Sequence, residues 1–100
     1  MTIRKIKAEI EVTSHPVVKS LHSNENFKVL ILGFKKGMIL KKHKAHAKTK
    51  LTILEGEVVY SEEEKNVILK QYDEHEIPVE VTHSVKANSD SICLLTQERN

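Results

Sequence analysis

Apolar and polar residues alternate along much of the chain with the two-residue period of a β-strand. From Lys5 to Val12, apolar residues alternate with lysine and glutamate, a pattern that predicts a half-buried strand. The segment from Phe27 to Phe34 is apolar on both strand faces, which predicts that another sheet or a second subunit covers each face. Together, these two segments favour a homodimer in which a strand of one subunit extends a sheet of the other.

The second half of the chain predicts further short strands separated by turns. Leu51 to Tyr60 is a strong β stretch that a turn interrupts at residues 55–57, and Ser61 to Asn66 is typical of the solvated tip of a hairpin. No stretch shows sustained helical periodicity, so the many short strands indicate an all-β sandwich or barrel. The other predicted strands are Val67 to Leu69, one that ends at Ile77-Pro78, His83 to Ala87 and Ser91 to Thr96.

A lysine-rich run, residues 41–50, contains five lysines and two histidines. Lysine and alanine favour helices, but the run is short and lies between β-rich segments, which favours a loop or a strand edge. It contains no arginine for bidentate contacts and no aromatic residue for base stacking, so nucleic-acid binding is not expected. We interpret the run as a charged strand face that the following glutamates partly pair, or as part of an interface.

The composition is that of an ordinary globular protein with one core: 39% of the 100 residues are apolar and 30% are charged. The net charge of +2 excludes a polycation. The single cysteine, Cys93, lies in an apolar segment, which excludes an internal disulfide and predicts an inert, buried thiol. No apolar run has the length of a signal peptide or a membrane span, so we expect a cytoplasmic protein that makes no membrane contact.

Two segments carry a family likeness. Residues 37–57 begin with a glycine that is followed by five residues and His43, and they end in Ile-Leu-Glu-Gly-Glu; residues 72–88 contain Ile77-Pro78 and, five residues past the proline, His83. In this order and spacing the two segments resemble the two sequence motifs of the cupin superfamily. The resemblance implies that residues 1–100 form one cupin-like domain, a double-stranded β-helix, or jelly-roll barrel, with a pocket lined by both motifs.

The alternation of residues along the motif strands predicts which side chains line this pocket. They are mostly apolar, with two histidines and one hydroxyl, a surface that suits a small, largely apolar ligand with one polar handle. The predicted lining residues are His43, Thr49, Leu51, His83 and Val85.

The resemblance also implies a site for one divalent metal ion, such as iron, manganese, zinc or nickel. Metal-binding cupins usually carry two histidines and a glutamate in the first motif and one histidine in the second. Here the second histidine and the glutamate are replaced by Ala45 and Thr49, so only His43 and His83 are kept. Two imidazoles alone bind a metal weakly, so the bound metal is in doubt.

His46 and His75 are the other candidate metal ligands. His46 is an odd number of residues from His43 and should face away from it on a regular strand, whereas His75 shares strand parity with Ile77, an expected core position. The glycines of the second cupin motif also have no counterpart here, because their positions hold Tyr72 and Glu80.

Three functions remain open from the sequence. We favour a binding module that holds a small molecule in the barrel pocket. A metal-dependent dioxygenase or isomerase is the alternative, and it would need His46 or His75 to complete the ligand set. A weaker alternative is a structural or regulatory dimer with a vestigial pocket, so the sequence leaves open whether the chain is an enzyme.

Overall fold

Two antiparallel sheets form the body of the protein, and the computed structural model describes residues 2–99. In this range no helix has both the length and the apolar character that crossing a membrane requires. The five-stranded sheet has the order β1-β2-β9-β4-β7 and the four-stranded sheet has the order β3-β8-β5-β6, which confirms the all-β prediction. The elements are α1 (Thr2–Glu9), β1 (Val17–Ser23), β2 (Phe27–Phe34), β3 (Ile39–His43), β4 (Thr49–Glu55), β5 (Glu57–Glu62), β6 (Lys65–Lys70), β7 (Glu74–Ile77), β8 (His83–Ala87) and β9 (Ser91–Glu98).

The main core lies between the inner faces of the two sheets. Its largest fully buried side chains include Phe34 and Tyr60, which contact the aliphatic residues of the facing strands. Cys93 is also fully buried, and burial raises the pKa of its thiol to about 12. The prediction of a buried cysteine is therefore confirmed, and the inert thiol stays a prediction that this burial supports.

The N-terminal segment is a helix, so the strand predicted from Lys5 to Val12 is wrong. Ile6 and Ile10 lie four residues apart and therefore share one helix face, which is buried against the outer face of the five-stranded sheet. A Cβ atom at Gly33 would overlap the Ile6 side chain, so the missing side chain at Gly33 is what lets α1 approach the sheet. Val12, which the strand pattern predicted to be buried, is 84% exposed.

Helix α1 provides the cover that the outer face of β2 needs. Together they form a second apolar cluster, separate from the main core, while the inner face of β2 contributes to the main core. The prediction that a sheet or a second subunit covers both faces is thus wrong for the outer face. The homodimer stays a prediction, but it has lost this support. The buried members of the second cluster are Ile6, Ile10, Val17, Ile31 and Ile92.

The hairpins follow the predicted turns closely. Gly56 separates β4 from β5, as the turn predicted at residues 55–57 requires, and it has a left-handed φ of 84°. The predicted tip from Ser61 to Asn66 is shorter than expected, because the strand pairing continues to Glu62 and Lys65. The turn therefore consists of residues 63–64, and Glu62 belongs to the sheet.

Two non-glycine residues that stand where the second cupin motif has glycines adopt a left-handed backbone conformation. Tyr72 has a φ of 72° and Glu80 has a φ of 63°, both in the left-handed region that disfavours a Cβ atom. At both positions glycine would adopt the observed backbone conformation without strain.

We expect Tyr72→Gly to increase the free energy of unfolding by about 1 kcal/mol, because it removes the Cβ that makes this conformation costly. The tyrosine side chain is largely exposed, so its loss sacrifices little burial. Tyr72→Ala is the matched control, since it also deletes the ring but keeps the Cβ atom. Urea denaturation checks the prediction, which fails if alanine stabilises the protein as much as glycine does.

Candidate functional site

The structure brings two of the predicted site histidines together. His43 at the end of β3 is the direct cross-strand partner of His83 at the start of β8. Their ring centroids are 4.2 Å apart, with the ring planes inclined by 60°. His83 is only 2% exposed, whereas His43 is exposed, so the pair reaches from the interior of the barrel to the solvent.

The hydrogen bonds of both rings leave the same nitrogen available. Nδ1 of His43 donates to the carbonyl oxygen of Lys41 at 2.8 Å, and Nδ1 of His83 donates to that of Val81 at 3.1 Å. A carbonyl oxygen only accepts, so Nδ1 carries the proton and Nε2 of the neutral ring keeps its lone pair. Such Nδ1 bonds typically orient histidine metal ligands.

The electrostatics keep His83 neutral. Burial lowers the pKa of His83 below its usual value, and a positive charge on neighbouring His43 lowers it further, while the Val81 carbonyl and Glu62 act in the opposite direction. At neutral pH the buried imidazole is therefore a Lewis base that can accept a hydrogen bond or bind a metal ion.

Sequence reasoning missed two side chains beside this pair, Tyr60 and Glu62. Glu62 is the cross-strand partner of His83 on β5, and its Oε2 accepts a hydrogen bond of 2.6 Å from the Tyr60 hydroxyl. The Tyr60 ring stacks on the His83 ring with centroids 5.6 Å apart. Burial, with the bond to Glu62, raises the pKa of Tyr60 above its usual value, so its hydroxyl remains a donor. Strand parity is the signal in the sequence that points to Glu62, because Glu62 lies two residues after Tyr60, whose side chain faces inward.

The structure separates the other two candidate ligands from the pair. His46 lies in the loop of residues 44–48, its side chain is 80% exposed, and its Nδ1 contacts Glu80 Oε2 at 2.6 Å. The His75 ring instead lies 4.4 Å from the Tyr60 ring. Within residues 2–99, no three His, Cys, Asp or Glu side chains are grouped so that they could hold a metal ion.

The predicted interior residues are packed tightly. Thr49, Leu51 and Val85 are all buried in or beside the main core. A cavity of about 210 Å³ reaches His83 instead from beside β5 and β8, and polar residue types line it, although most of its lining surface is apolar. The lining residues are Lys42, Ser61, Glu63, Thr82, His83 and Ser84.

The fold was compared with known proteins. No protein-family model and no curated protein matches the sequence. An RmlC-like cupin from Desulfovibrio desulfuricans is 25% identical over 84% of this chain and 82% of its own, with a TM-score of 0.78. A cupin-like protein from Thermotoga maritima is 26% identical over 85% of this chain and 69% of its own, with a TM-score of 0.77. The chain is a small cupin-superfamily domain.

Another match, a cupin 2 conserved barrel domain protein from Leptotrichia buccalis, is 29% identical over 86% of this chain but 42% of its own, with a TM-score of 0.78. These matches confirm the predicted jelly-roll barrel. In this cupin, two usual ligand positions hold groups that are unsuited to metal binding: Ala45 is buried in the main core, and the Thr49 hydroxyl donates to the Ala47 carbonyl at 2.9 Å. The retained donors are His43 and His83.

Proposed function

We propose that this cupin domain is a binding module that holds a small molecule, together with one divalent metal ion, at the His43–His83 pair. The observation that carries the proposal is the orientation of the two rings: both Nδ1 atoms donate to backbone carbonyls, and both Nε2 atoms keep their lone pairs. Water and small molecules can approach the pair because His43 is exposed and a cavity reaches His83.

The residues fit a divalent transition metal that binds loosely. Imidazole nitrogen suits iron, zinc, nickel and related ions, but two protein ligands are fewer than the three of a typical catalytic site. The protein would therefore supply His43 and His83 as ligands, and solvent or the small molecule would occupy the remaining coordination positions of the metal. A metal ion held there would polarise an oxygen of that molecule, and the hydroxyls that line the cavity would hydrogen-bond its polar groups.

The geometry favours a binding module over a dioxygenase or isomerase. The enzyme alternative needs a third protein ligand from His46 or His75. His46 contacts Glu80, and His75 packs on Tyr60, so both would have to leave their present contacts to join the pair.

The test is titration with Ni²⁺ by isothermal calorimetry. We expect His43→Ala to weaken binding at least about tenfold, equivalent to about 1.4 kcal/mol, while His22→Ala, which removes an exposed histidine elsewhere, leaves affinity unchanged. His43 is exposed, so its variant should fold normally; His83→Ala is the second variant, with circular dichroism as the check on folding.

The outcomes separate the alternatives. If His46→Ala weakens Ni²⁺ binding as much as His43→Ala does, His46 is a ligand and the enzyme alternative gains support. If wild-type protein does not bind Ni²⁺, or if the His43 and His83 variants bind it unchanged, the metal-dependent module is wrong and a vestigial pocket is favoured.

A further inference from the structure

The lysine-rich run does not form one continuous surface in the structure. Lys42 lines the cavity beside His83, which also contains a glutamate, and Lys48 and Lys50 line a separate cavity of about 410 Å³ with three glutamates. Lys44 lines a third cavity of about 350 Å³. Four of the five lysines of the run are thus distributed over three cavities, and carboxylates line the first two cavities beside the lysines.

The third cavity has an excess of positive charge. It lies between the loop of residues 44–48 and the ends of β2 and β9, where Lys28 and Gln97 are cross-strand partners. Its lining includes the three permanent cations Lys28, Lys44 and Arg99, and also His46, against one carboxylate, Glu98. A second carboxylate, Glu80, contacts His46 just outside the lining and lies near Lys44. We call it the basic cavity.

Within residues 2–99, Lys28 and Lys44 lack the ion pairs that neutralise lysines elsewhere. Three lysines around α1, namely Lys7, Lys19 and Lys35, each contact a carboxylate within 2.9 Å. By contrast, between Thr2 and Arg99 no ion pair involves Lys28 or Lys44. The chain has 14 acidic residues for 16 basic ones, so this excess reflects where the charges lie and not the overall composition.

We propose that the basic cavity binds a compact oxyanion, that is, the phosphate or carboxylate group of a small molecule. Two ammonium groups and a guanidinium supply charge-assisted donors, and the guanidinium is positioned by its 2.7 Å hydrogen bond to the Ser23 hydroxyl. A bound anion attracts each of these cations and so offsets their mutual repulsion. The Gln97 amide adds a neutral donor to the lining.

The surroundings favour a compact anion over a nucleic acid. A polyanion needs a basic surface that extends along its backbone, but the neighbouring 410 Å³ cavity carries Glu74, Glu76 and Glu98. Among residues 2–99, no Phe, Tyr or Trp side chain lines the basic cavity, so it lacks the large aromatic rings on which bases usually stack. The proposal does not depend on the His43–His83 pair or on metal binding there.

The test follows the amide chemical shifts by NMR during titration with inorganic phosphate and, separately, citrate. An ionic strength of about 0.15 M screens charges that lie more than about 8 Å from the anion, so that the lysines of the neighbouring cavity contribute little. We expect saturable shifts in residues 44–47 and 97–99, and at least about tenfold weaker binding in Lys28→Gln/Lys44→Gln. Lys48→Gln/Lys50→Gln is the matched control, because it removes the same charge from the neighbouring cavity, and its affinity should change less than about twofold.

Three results would overturn the proposal: the absence of saturable shifts with either anion, equal weakening in the two double variants, or a single-stranded oligonucleotide that binds more tightly and shifts both cavities. Preference for phosphate or for citrate identifies which oxyanion the site takes. Circular dichroism of both double variants verifies that the comparison is made on folded protein.

Discussion

Gly56→Ala should reduce the free energy of unfolding by about 3 kcal/mol or more, because two costs add at this position. The φ of 84° lies in the left-handed region, where a Cβ atom is unfavourable. In addition, the new methyl group would overlap the Ser91 hydroxyl and the Asp90 carbonyl oxygen. Neither neighbour can yield easily, since one is backbone and the other is buried.

The cost is large because the overlap falls on a junction between two turns. The Ser91 hydroxyl accepts a hydrogen bond of 3.2 Å from the Glu57 N–H group and donates one of 2.8 Å to the Ser89 carbonyl. These bonds join the turn between β4 and β5 to the turn between β8 and β9. Displacing Ser91 would break the junction and leave buried polar groups without partners.

Gly37→Ala is the matched control, because Gly37 has a similar φ of 89° but open space around its Cα. Its free energy of unfolding should fall only by the conformational penalty, about 1–2 kcal/mol. Urea denaturation of both variants measures the difference. Equal losses would show that backbone conformation alone accounts for the effect and that the overlap at Gly56 relaxes without cost.

Ile6→Ala should reduce the free energy of unfolding by about 3 kcal/mol, the usual cost of deleting a fully buried isoleucine side chain. Ile6 is 0% exposed and contacts Gly33 at the centre of the apolar cluster beneath α1. The strand beneath offers no side chain to fill the space that Ile6 vacates, since β2 has a glycine at this point.

Ile3→Ala provides the comparison within the same helix, because Ile3 is 39% exposed and its truncation should cost no more than about 1 kcal/mol. Urea denaturation measures both losses, and hydrogen exchange of the α1 amides shows whether the helix has left the sheet. Similar losses for Ile3 and Ile6 would contradict the position assigned to Gly33.

Local patterns were sufficient to predict most of the strands but not the helix. Strand parity and turn residues are local signals, so β2 and the turn at Gly56 could be located from the sequence alone. Ile6 and Ile10 fit both the two-residue period of a strand and the four-residue spacing of a helix face. The choice depends on Gly33, which is distant in sequence and reveals its role only when the chain is folded.

The site was predictable only in part, for a similar reason. Motif spacing singled out His43 and His83, and the structure pairs them across neighbouring strands. Strand parity with Tyr60 pointed to Glu62, but the sequence pattern placed Glu62 in a solvated hairpin tip, and only its pairing with His83 places it at the site. The left-handed backbone at Tyr72 and Glu80 was equally hidden, since neither residue type favours it.

The burial of Ala45 determines how a molecule could reach the inside of the barrel. Ala45 is packed in the main core, and its carbonyl accepts a 2.8 Å hydrogen bond from the Glu80 N–H group. His46 and Glu80 add a second contact between the same two loops. We expect that a ligand that passes His83 into the interior of the barrel requires these loops to part. The rate of such binding would reach a plateau as ligand concentration rises, because loop opening and not collision would limit it.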